Sequence, residues 1–302
     1  MTEKFSGSIH IDQNSPLPVA IHLWESYLQD QDRSDFTIKA FLGDIRLLQK
    51  FLPTDINIGA ISTNDLTRFI AWLEDGRGKG ISCSPKSLSR RITTIKSFFR
   101  WLAANGRIIG DPAESIVQHT VISPLPEIMT PDEEAKILIA AKSMCESTPS
   151  DCRPYALVKL LLETGIKKSE CLNIKHSHIS SDEGGPYIFI RYSNLKDRNK
   201  ERKIPLSIEW INAYKKYLSQ YQQKDAVFPW SPRRLEYILE DLGKAAGLEK
   251  HLSFSMCRWN CGLDDMRNGL ETDAIRQKLG ISKIQWREIK LKLQNLAKKF
   301  NH

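Results

Sequence analysis

The sequence predicts a mainly α-helical protein with a small β-sheet, divided into two domains. Apolar residues recur at helical spacing through most of the 302 residues. A segment with two prolines and little periodicity, residues 118–130, interrupts this pattern. Residues 187–192 form a short segment rich in β-branched or aromatic side chains, and they are predicted to be a strand that pairs with residues 201–206.

The first domain is predicted to be a four-helix bundle over residues 16–118, preceded by a flexible tail of residues 1–15. Ser62 or Thr63 can cap the third helix, and Ser84 followed by Pro85 is a typical helix start. The four apolar-periodic segments are residues 19–28, 36–51, 63–73 and 85–104.

The second domain is predicted to cover residues 130–302, after a linker of residues 119–129. Its first helix begins at Thr130 as cap, with Pro131 in the first turn and acidic residues near the positive end of the helix dipole. The apolar helix that follows ends at Gly165, the two strands come next, and the remainder of the chain is predicted to be helical down to a basic tail.

The fourth helix carries the clearest charge pattern. Its apolar residues fall on one face, and six basic residues but no acidic one lie between positions 86 and 107. Lys86, Arg90, Lys96 and Arg100 occupy the opposite face together with short hydroxyl side chains. A solvated helix face usually carries both signs of charge, so this face is predicted to contact a phosphate backbone.

The composition indicates which class of partner the chain binds and in which cellular compartment it is expected. The net charge of +8 favours a polyanionic partner, either nucleic acid or an anionic membrane surface. No apolar run approaches the roughly 20 residues that span a bilayer, and the N-terminus has no apolar signal-peptide core. The six cysteines lack metal-ligand spacing, so we expect reduced thiols, no metal, no cofactor and a cytoplasmic protein.

Several segments resemble the tyrosine recombinases, the family of phage integrases and Xer-type enzymes. LLLETGIKKSECLNIKHSHI resembles the family segment TGLRxSEL, and LKDRNKERKIPL resembles its hairpin GKGNKERxVPL. Residues 252–290 resemble, without a gap, the family segment that begins LSPHxLRHT. The resemblance implies a SAM-like N-terminal core-binding domain and a C-terminal catalytic-type α+β domain.

The resemblance also implies a site, since the family cuts DNA with a tyrosine, two arginines, a hairpin lysine and two further positions that are usually histidine or tryptophan. The chemistry needs an oxygen nucleophile and cations on the phosphate oxygens. In chain order the family positions fall on Lys167, Lys196, Ser255, Arg258, Ile281 and Lys290. The match of Lys196 is loose, because gap-free counting places Asp197 at the hairpin position.

The reacting residues are therefore replaced, although the framework residues match. Lys290 stands where the tyrosine should be, and the last tyrosine of the chain, Tyr237, lies upstream of Arg258. Arg258 is the retained arginine, while Lys167 keeps a charge but not the bidentate guanidinium. Whether the chain is an enzyme stays open at this point, because the family's cleavage and rejoining needs the missing tyrosine.

Three functions follow as hypotheses. The first is a DNA-binding protein that cannot cut DNA alone and acts as an accessory or regulatory factor in recombination. The second is a recombinase subunit that is active only with a partner that supplies the tyrosine. The third is a protein-interaction module without DNA binding. The expected partner is duplex DNA rather than a membrane, with an intact tyrosine recombinase, or a second copy through the C-terminal helix, as further candidates.

The predicted DNA contacts combine the basic helix with the basic residues around the hairpin and the family site. They are Lys86, Arg90, Lys96, Arg100, Lys167, Lys196, Arg198, Lys200, Arg202 and Arg258.

Overall fold

A computed structural model describes residues 11–80, 82–118, 124–221 and 225–299, apart from the side chain at position 79. The chain divides into two compact units, Met1–Ser123 and Pro124–His302. The predicted mainly helical fold with a small sheet is confirmed. No helix in the described part of the chain is long and apolar enough to cross a membrane.

The first unit contains the four predicted helices. They are α1 (Leu17–Asp30), α2 (Asp35–Phe51), α3 (Thr63–Glu74) and α4 (Pro85–Ala104). Ser62 caps α3 in a reciprocal arrangement with Asp65, and the Ser84 hydroxyl accepts a hydrogen bond from the backbone N–H of Ser87 at the start of α4. The caps read from the sequence therefore mark where these helices begin.

Aromatic side chains fill the core of the first unit. Trp24 of α1 is fully buried, and its ring meets Phe98 of α4 edge-on at 5.2 Å between centroids. Phe69 of α3 and Phe99 of α4 are equally buried. This core fixes the orientation of α4 and leaves its basic face outside.

Residues 11–15 belong to this unit and do not form the tail that the sequence predicts. Ile11 is 1% exposed, and its carbonyl accepts a hydrogen bond from Arg107 at 3.0 Å. The carbonyl of Gln13 accepts from the backbone N–H of Gly59 at 2.8 Å. The apolar Ile11 and these two backbone contacts attach the segment to the bundle. Residues 1–10 of the predicted tail lie outside the described residues.

The second unit is a helical domain with one small sheet. Its helices are α5 (Pro131–Glu146), α6 (Arg153–Thr164), α7 (Lys168–Leu172), α8 (Ile208–Gln220), α9 (Pro232–Ala245), α10 (Phe254–Arg267), α11 (Thr272–Lys278) and α12 (Lys283–Lys299). Its strands are β1 (Ile179–Asp182), β2 (Gly185–Ile190) and β3 (Arg202–Pro205), in the antiparallel order β1-β2-β3. In the register, Ile188 of β2 lies between Ile179 and Ile204.

Helix α6 is the centre of the second unit. It packs against α5, α8 and α10, and most of its residues are buried. It ends at Gly165, whose φ of 59° is left-handed, and a Cβ there would lie 2.5 Å from a methyl of Leu279. Only glycine fits this position, so the chain turns sharply at the end of α6 toward Lys167.

Two cysteines of the second unit correct the expectation of six reduced thiols. Cys145 at the end of α5 and Cys152 at the start of α6 form a disulfide, with 4.1 Å between their Cα atoms. Cys171, Cys257 and Cys261 are free and buried, as expected for core thiols. Burial raises the pKa of Cys261 to about 12, so its thiol stays protonated.

The C-terminal helix packs on its own unit. Trp286, Leu293 and Leu296 of α12 are buried in a cluster with Leu263 of α10 and Ile281. The sequence leaves open whether this helix folds back or docks on a neighbour, and in this structure it folds back. Leu291 on the same helix is 59% exposed.

Candidate anion-binding site

Helices α6 and α10 bring two cations together in the second unit. The left-handed turn at Gly165 directs Lys167 toward α10, where Arg258 lies one turn after Ser255. The Arg258 guanidinium donates hydrogen bonds to the carbonyls of Gly165 and of Leu279, the latter at 2.5 Å. These bonds join the ends of α6 and α11 to the middle of α10.

Among the described residues, Arg258 has no anionic partner of its own. No carboxylate in the described ranges lies within 4.0 Å of its guanidinium. Burial lowers the pKa of Arg258 below its usual value, and the more distant Glu170 opposes this effect only in part. A largely buried guanidinium that is bonded only to neutral carbonyls retains the capacity to bind an anion.

Lys167 adds a second charge beside Arg258. Its ammonium donates to the carbonyl of Gly280 at 3.2 Å and lies 3.8 Å from Glu170. Burial lowers the pKa of Lys167, and the nearby Arg258 and Arg202 lower it further. Its side chain remains 37% exposed, so the charge can be reached from solvent. The local field at this site is therefore positive.

Glu170 and Arg202 form the buried support of the site. Arg202 donates to both carboxylate oxygens of Glu170 at 3.0 Å, and its Nε donates to the carbonyl of Lys278 at 2.6 Å. The Tyr192 hydroxyl and the backbone N–H of Lys167 also donate to this carboxylate. Although burial opposes the effect, these bonds, first of all those from Arg202, lower the pKa of Glu170 to about 2.

The predicted contact between Arg202 and DNA does not fit this geometry. The Arg202 side chain is 9% exposed, and its donors are directed at Glu170 and at backbone carbonyls. Gly280 lies so close that a Cβ at this position would be 2.6 Å from the guanidinium. Arg202 therefore holds β3, α7 and the end of α11 together rather than presenting a charge to a ligand.

The remaining family positions are spread around this site. Ser255 is exposed on the first turn of α10, Ile281 is buried in the apolar cluster under α12, and Lys290 lies half-buried on α12. In the loop before β3, Lys196 is exposed, and Asp197 accepts a hydrogen bond from Lys200 at 2.5 Å. The structure thus brings Lys167 and Arg258 together with the backbone of Leu279 and Gly280.

The basic face of α4 in the first unit divides into two kinds of residue. Lys86 and Arg100 are exposed, and neither has a side-chain partner among the described residues. Arg90 instead pairs with Asp44, which is buried on α2 and also accepts from Thr94. Lys96 donates to the carbonyls of Glu114 and Ile116. Both Arg90 and Lys96 therefore have structural partners in addition to the role that the sequence predicts for them.

The sequence analysis does not predict two features of the structure. The first is Asp44, which no local pattern marks as buried. The second is the start of α9, where Arg233 and Arg234 are exposed and the Arg233 guanidinium lies 5.3 Å from the ring centre of Tyr237. Two arginines directly after a helix cap and its proline are a signal that could have found this second surface.

Comparison with protein families gives two matches. Residues 127–289 match the phage integrase family, and residues 21–106 match the N-terminal SAM-like domain of phage integrases. Tyrosine recombinase XerD of Listeria innocua serovar 6a is 26% identical over 287 residues, which cover 88% of this chain and 92% of that protein. Tyrosine recombinase XerC of Pediococcus pentosaceus is 27% identical over 306 residues, with 93% and 97% covered.

Solved structures show the same fold. A lambda integrase dimer bound to a COC' core site has a TM-score of 0.72 and 18% identity, covering 95% of this chain and 82% of that one. XerH recombinase bound to its difH substrate before cleavage has a TM-score of 0.66 and 17% identity, covering 86% and 78%.

Proposed function

The chain belongs to the phage integrase family, and we propose that it binds duplex DNA as an accessory or regulatory factor in recombination without cutting DNA on its own. The related structures named above are recombinases bound to DNA, which supports duplex DNA as the partner. The observation that carries the proposal is the positive site formed by Lys167 and Arg258, in a chain whose family tyrosine position holds Lys290.

A DNA phosphate is the ligand that this pair fits. Arg258 keeps two hydrogen bonds to carbonyls but has no carboxylate partner in the described part of the chain, and Lys167 is partly exposed beside it. A phosphate oxygen accepts charge-assisted hydrogen bonds from both groups. The exposed Lys86 and Arg100 supply a second basic surface on the first unit, which increases affinity without reading sequence.

The chemistry of strand cleavage is not supported by the residues present. Cleavage by this family needs an oxygen that attacks the phosphorus, and Lys290 carries an amine on α12. The buried Ile281 cannot donate or accept a proton. The hairpin position matches Lys196 only loosely, and gap-free counting places there Asp197, which is paired with Lys200. The chain therefore has the means to bind the phosphate but not to break its ester bond.

The test combines DNA binding with a trap for covalent intermediates. Duplex DNA should bind with an affinity that falls steeply with salt, because phosphate contacts release counterions. A nicked suicide substrate should give no covalent protein–DNA adduct on a denaturing gel. An intact tyrosine recombinase run in parallel should give the adduct and so show that the substrate works.

The outcomes separate the competing functions. An adduct formed by this chain alone would overturn the proposed loss of cleavage. If the DNA bound by this chain is cut only after a second recombinase is added, the adduct forms with that recombinase. This result would favour a subunit whose tyrosine comes from a partner. Absence of salt-dependent DNA binding would favour a protein-interaction module.

A further inference from the structure

Glu170 also lines a cleft in the second unit. It has a volume of about 870 Å³ and is bounded by α7 on one side and by the segment that follows β2 on the other. We name it the hairpin cleft. The lining residues that matter here are Asn173, His178, Phe189, Arg191, Asn194 and Arg198. Its size is in the range of cavities that hold small organic ligands.

The hairpin cleft has cations that its own acids do not neutralise. Arg198 is exposed and its guanidinium has no partner among the described residues. Of the acidic lining residues, Glu170 is held by Arg202 and Asp197 by Lys200, while Glu201 accepts a hydrogen bond from the backbone N–H of Tyr192 at 2.9 Å. The guanidiniums of Arg191 and Arg198 therefore line a cleft in which two of the three lining carboxylates already have cationic partners.

Groups that can bind a nucleobase lie beside these cations. The Arg191 guanidinium stands over the ring of Phe189 at 5.3 Å from its centre, which forms a flat surface with a positive charge. His178 accepts a hydrogen bond from the backbone N–H of Lys175 through Nδ1 at 3.3 Å, so its Nε2 carries the proton and can donate. Stacking surfaces next to phosphate-binding cations are typical of sites for single-stranded nucleic acid.

We propose that the hairpin cleft binds an unpaired nucleotide of a DNA strand. Its base stacks against Phe189 and Arg191, and its phosphate binds Arg198. A base inside a duplex is stacked and paired on both sides, so it cannot enter a cavity of this kind without leaving the helix. The proposal rests on the proposed DNA-binding function and adds a preference for DNA that has a gap or another unpaired segment.

Fluorescence anisotropy with two labelled DNAs tests the proposal on the full chain. One probe is a blunt duplex, and the other is the same duplex with a short gap that exposes unpaired thymidines. We expect the gapped probe to bind about tenfold tighter, which corresponds to about 1.4 kcal/mol and lies in the range for stacking one base. The double variant Arg191→Ala/Arg198→Ala should lower the affinity for the gapped probe about tenfold more than the affinity for the blunt duplex.

A matched control removes two charges elsewhere. Lys136 on α5 and Lys215 on α8 are exposed, and the double variant Lys136→Ala/Lys215→Ala should keep the preference for the gapped probe. Equal binding of both probes by the unchanged chain would overturn the inference while leaving duplex binding intact. Equal loss of both affinities in the Arg191 and Arg198 variant would show a duplex contact and would also overturn it.

Two further outcomes are decisive. If neither probe binds, the proposed DNA-binding function itself fails, and the inference fails with it. If thymidine monophosphate alone displaces the gapped probe at concentrations near the dissociation constant of that probe, the cleft holds a free nucleotide rather than a strand, which contradicts the inference.

Discussion

Glu170 is a single carboxylate that joins β3, α7 and the loop after β2. Its side chain is 1% exposed and binds Arg202 through both oxygens. Removing one partner of a buried ion pair leaves the other charge buried without compensation, which costs several kcal/mol. The exposed pair of Lys168 and Glu236 provides the contrast, because surface pairs contribute little.

We predict that Glu170→Gln lowers the free energy of unfolding by about 3 kcal/mol, since it leaves the Arg202 charge unpaired in the interior. Urea denaturation followed by circular dichroism measures the change. Glu236→Gln is the matched control and should change stability by less than about 1 kcal/mol. A loss in Glu170→Gln no larger than that of the control would contradict the assigned supporting role.

The same carboxylate gives the stability a pH dependence at acidic pH. The pKa of Glu170 is about 2 in the folded chain against 4.5 as its ordinary value. A lowered pKa means that the stabilisation is present above pH 4.5 and is lost as the pH falls toward 2, about 3 kcal/mol in all. Glu170→Gln should therefore lose less stability than the unchanged chain between these pH values.

Lys167 offers a cleaner test of phosphate binding than Arg258. Arg258 holds two carbonyls, so its removal costs stability as well as charge, whereas Lys167 donates to one carbonyl and is partly exposed. We expect Lys167→Ala to weaken duplex binding and to lower the slope of log affinity against log salt by about one. Titrations at several salt concentrations measure it. An unchanged slope would show that Lys167 does not contact a phosphate.

At the scale of the helix, the basic face of α4 combines structural contacts with the predicted contact to DNA. Arg90 neutralises the buried Asp44, and Lys96 binds the carbonyls of Glu114 and Ile116. Burial raises the pKa of Asp44, and the charge of Arg90 opposes this rise. Replacing Arg90 or Lys96 would therefore disturb the fold together with any DNA contact.

Two exposed basic residues of α4, Lys86 and Arg100, allow its role in DNA binding to be tested. The double variant Lys86→Ala/Arg100→Ala should weaken duplex binding and lower the salt slope by about two, with thermal stability unchanged, because both side chains are exposed. The double variant Lys39→Ala/Lys50→Ala removes the same charge from exposed positions of α2. Its salt slope should stay closer to that of the unchanged chain than the slope of the α4 variant does. Identical slopes in the two variants would argue against a specific role for α4.

At the scale of the whole molecule, the replaced family positions lie on several elements. We expect Lys290→Tyr alone to form no covalent adduct with a suicide substrate, because one restored oxygen does not replace the other groups. Loss of one preorganised donor typically costs on the order of 100- to 1,000-fold in rate. Losses in groups that act together do not add simply, so the expectation is a severe defect without a calculated factor. An adduct in this variant would show that Lys167 and Arg258 suffice.

The architecture could be predicted because its signals are local. The caps at Ser84 and Thr130 and the glycine at position 165 mark helix ends through short-range chemistry, and apolar spacing marks the buried faces. Strand β1 could not be found this way, since ISSD has no alternation and exposes three of its four residues. Its place in the sheet depends on pairing with β2.

The site could be predicted only in part, because a charge pattern does not show where each charge points. Arg202 lies in the same basic run as Arg198, yet one is buried against Glu170 and the other is exposed. The disulfide between Cys145 and Cys152 joins the ends of two helices, and the spacing of seven residues does not reveal it. The first fact depends on a contact between distant parts of the chain, and the second on how the short connection between α5 and α6 folds.

The contacts around Gly165 and Gly280 explain how a protein can resemble an enzyme family while lacking its reactive group. Gly165 supplies a carbonyl to Arg258, Gly280 supplies one to Lys167, and each glycine leaves room for a neighbouring side chain. These residues are required for folding whether or not DNA is cut. Selection for a stable fold would therefore preserve these positions of the family sequence with or without catalysis, so that descent and activity are separate questions.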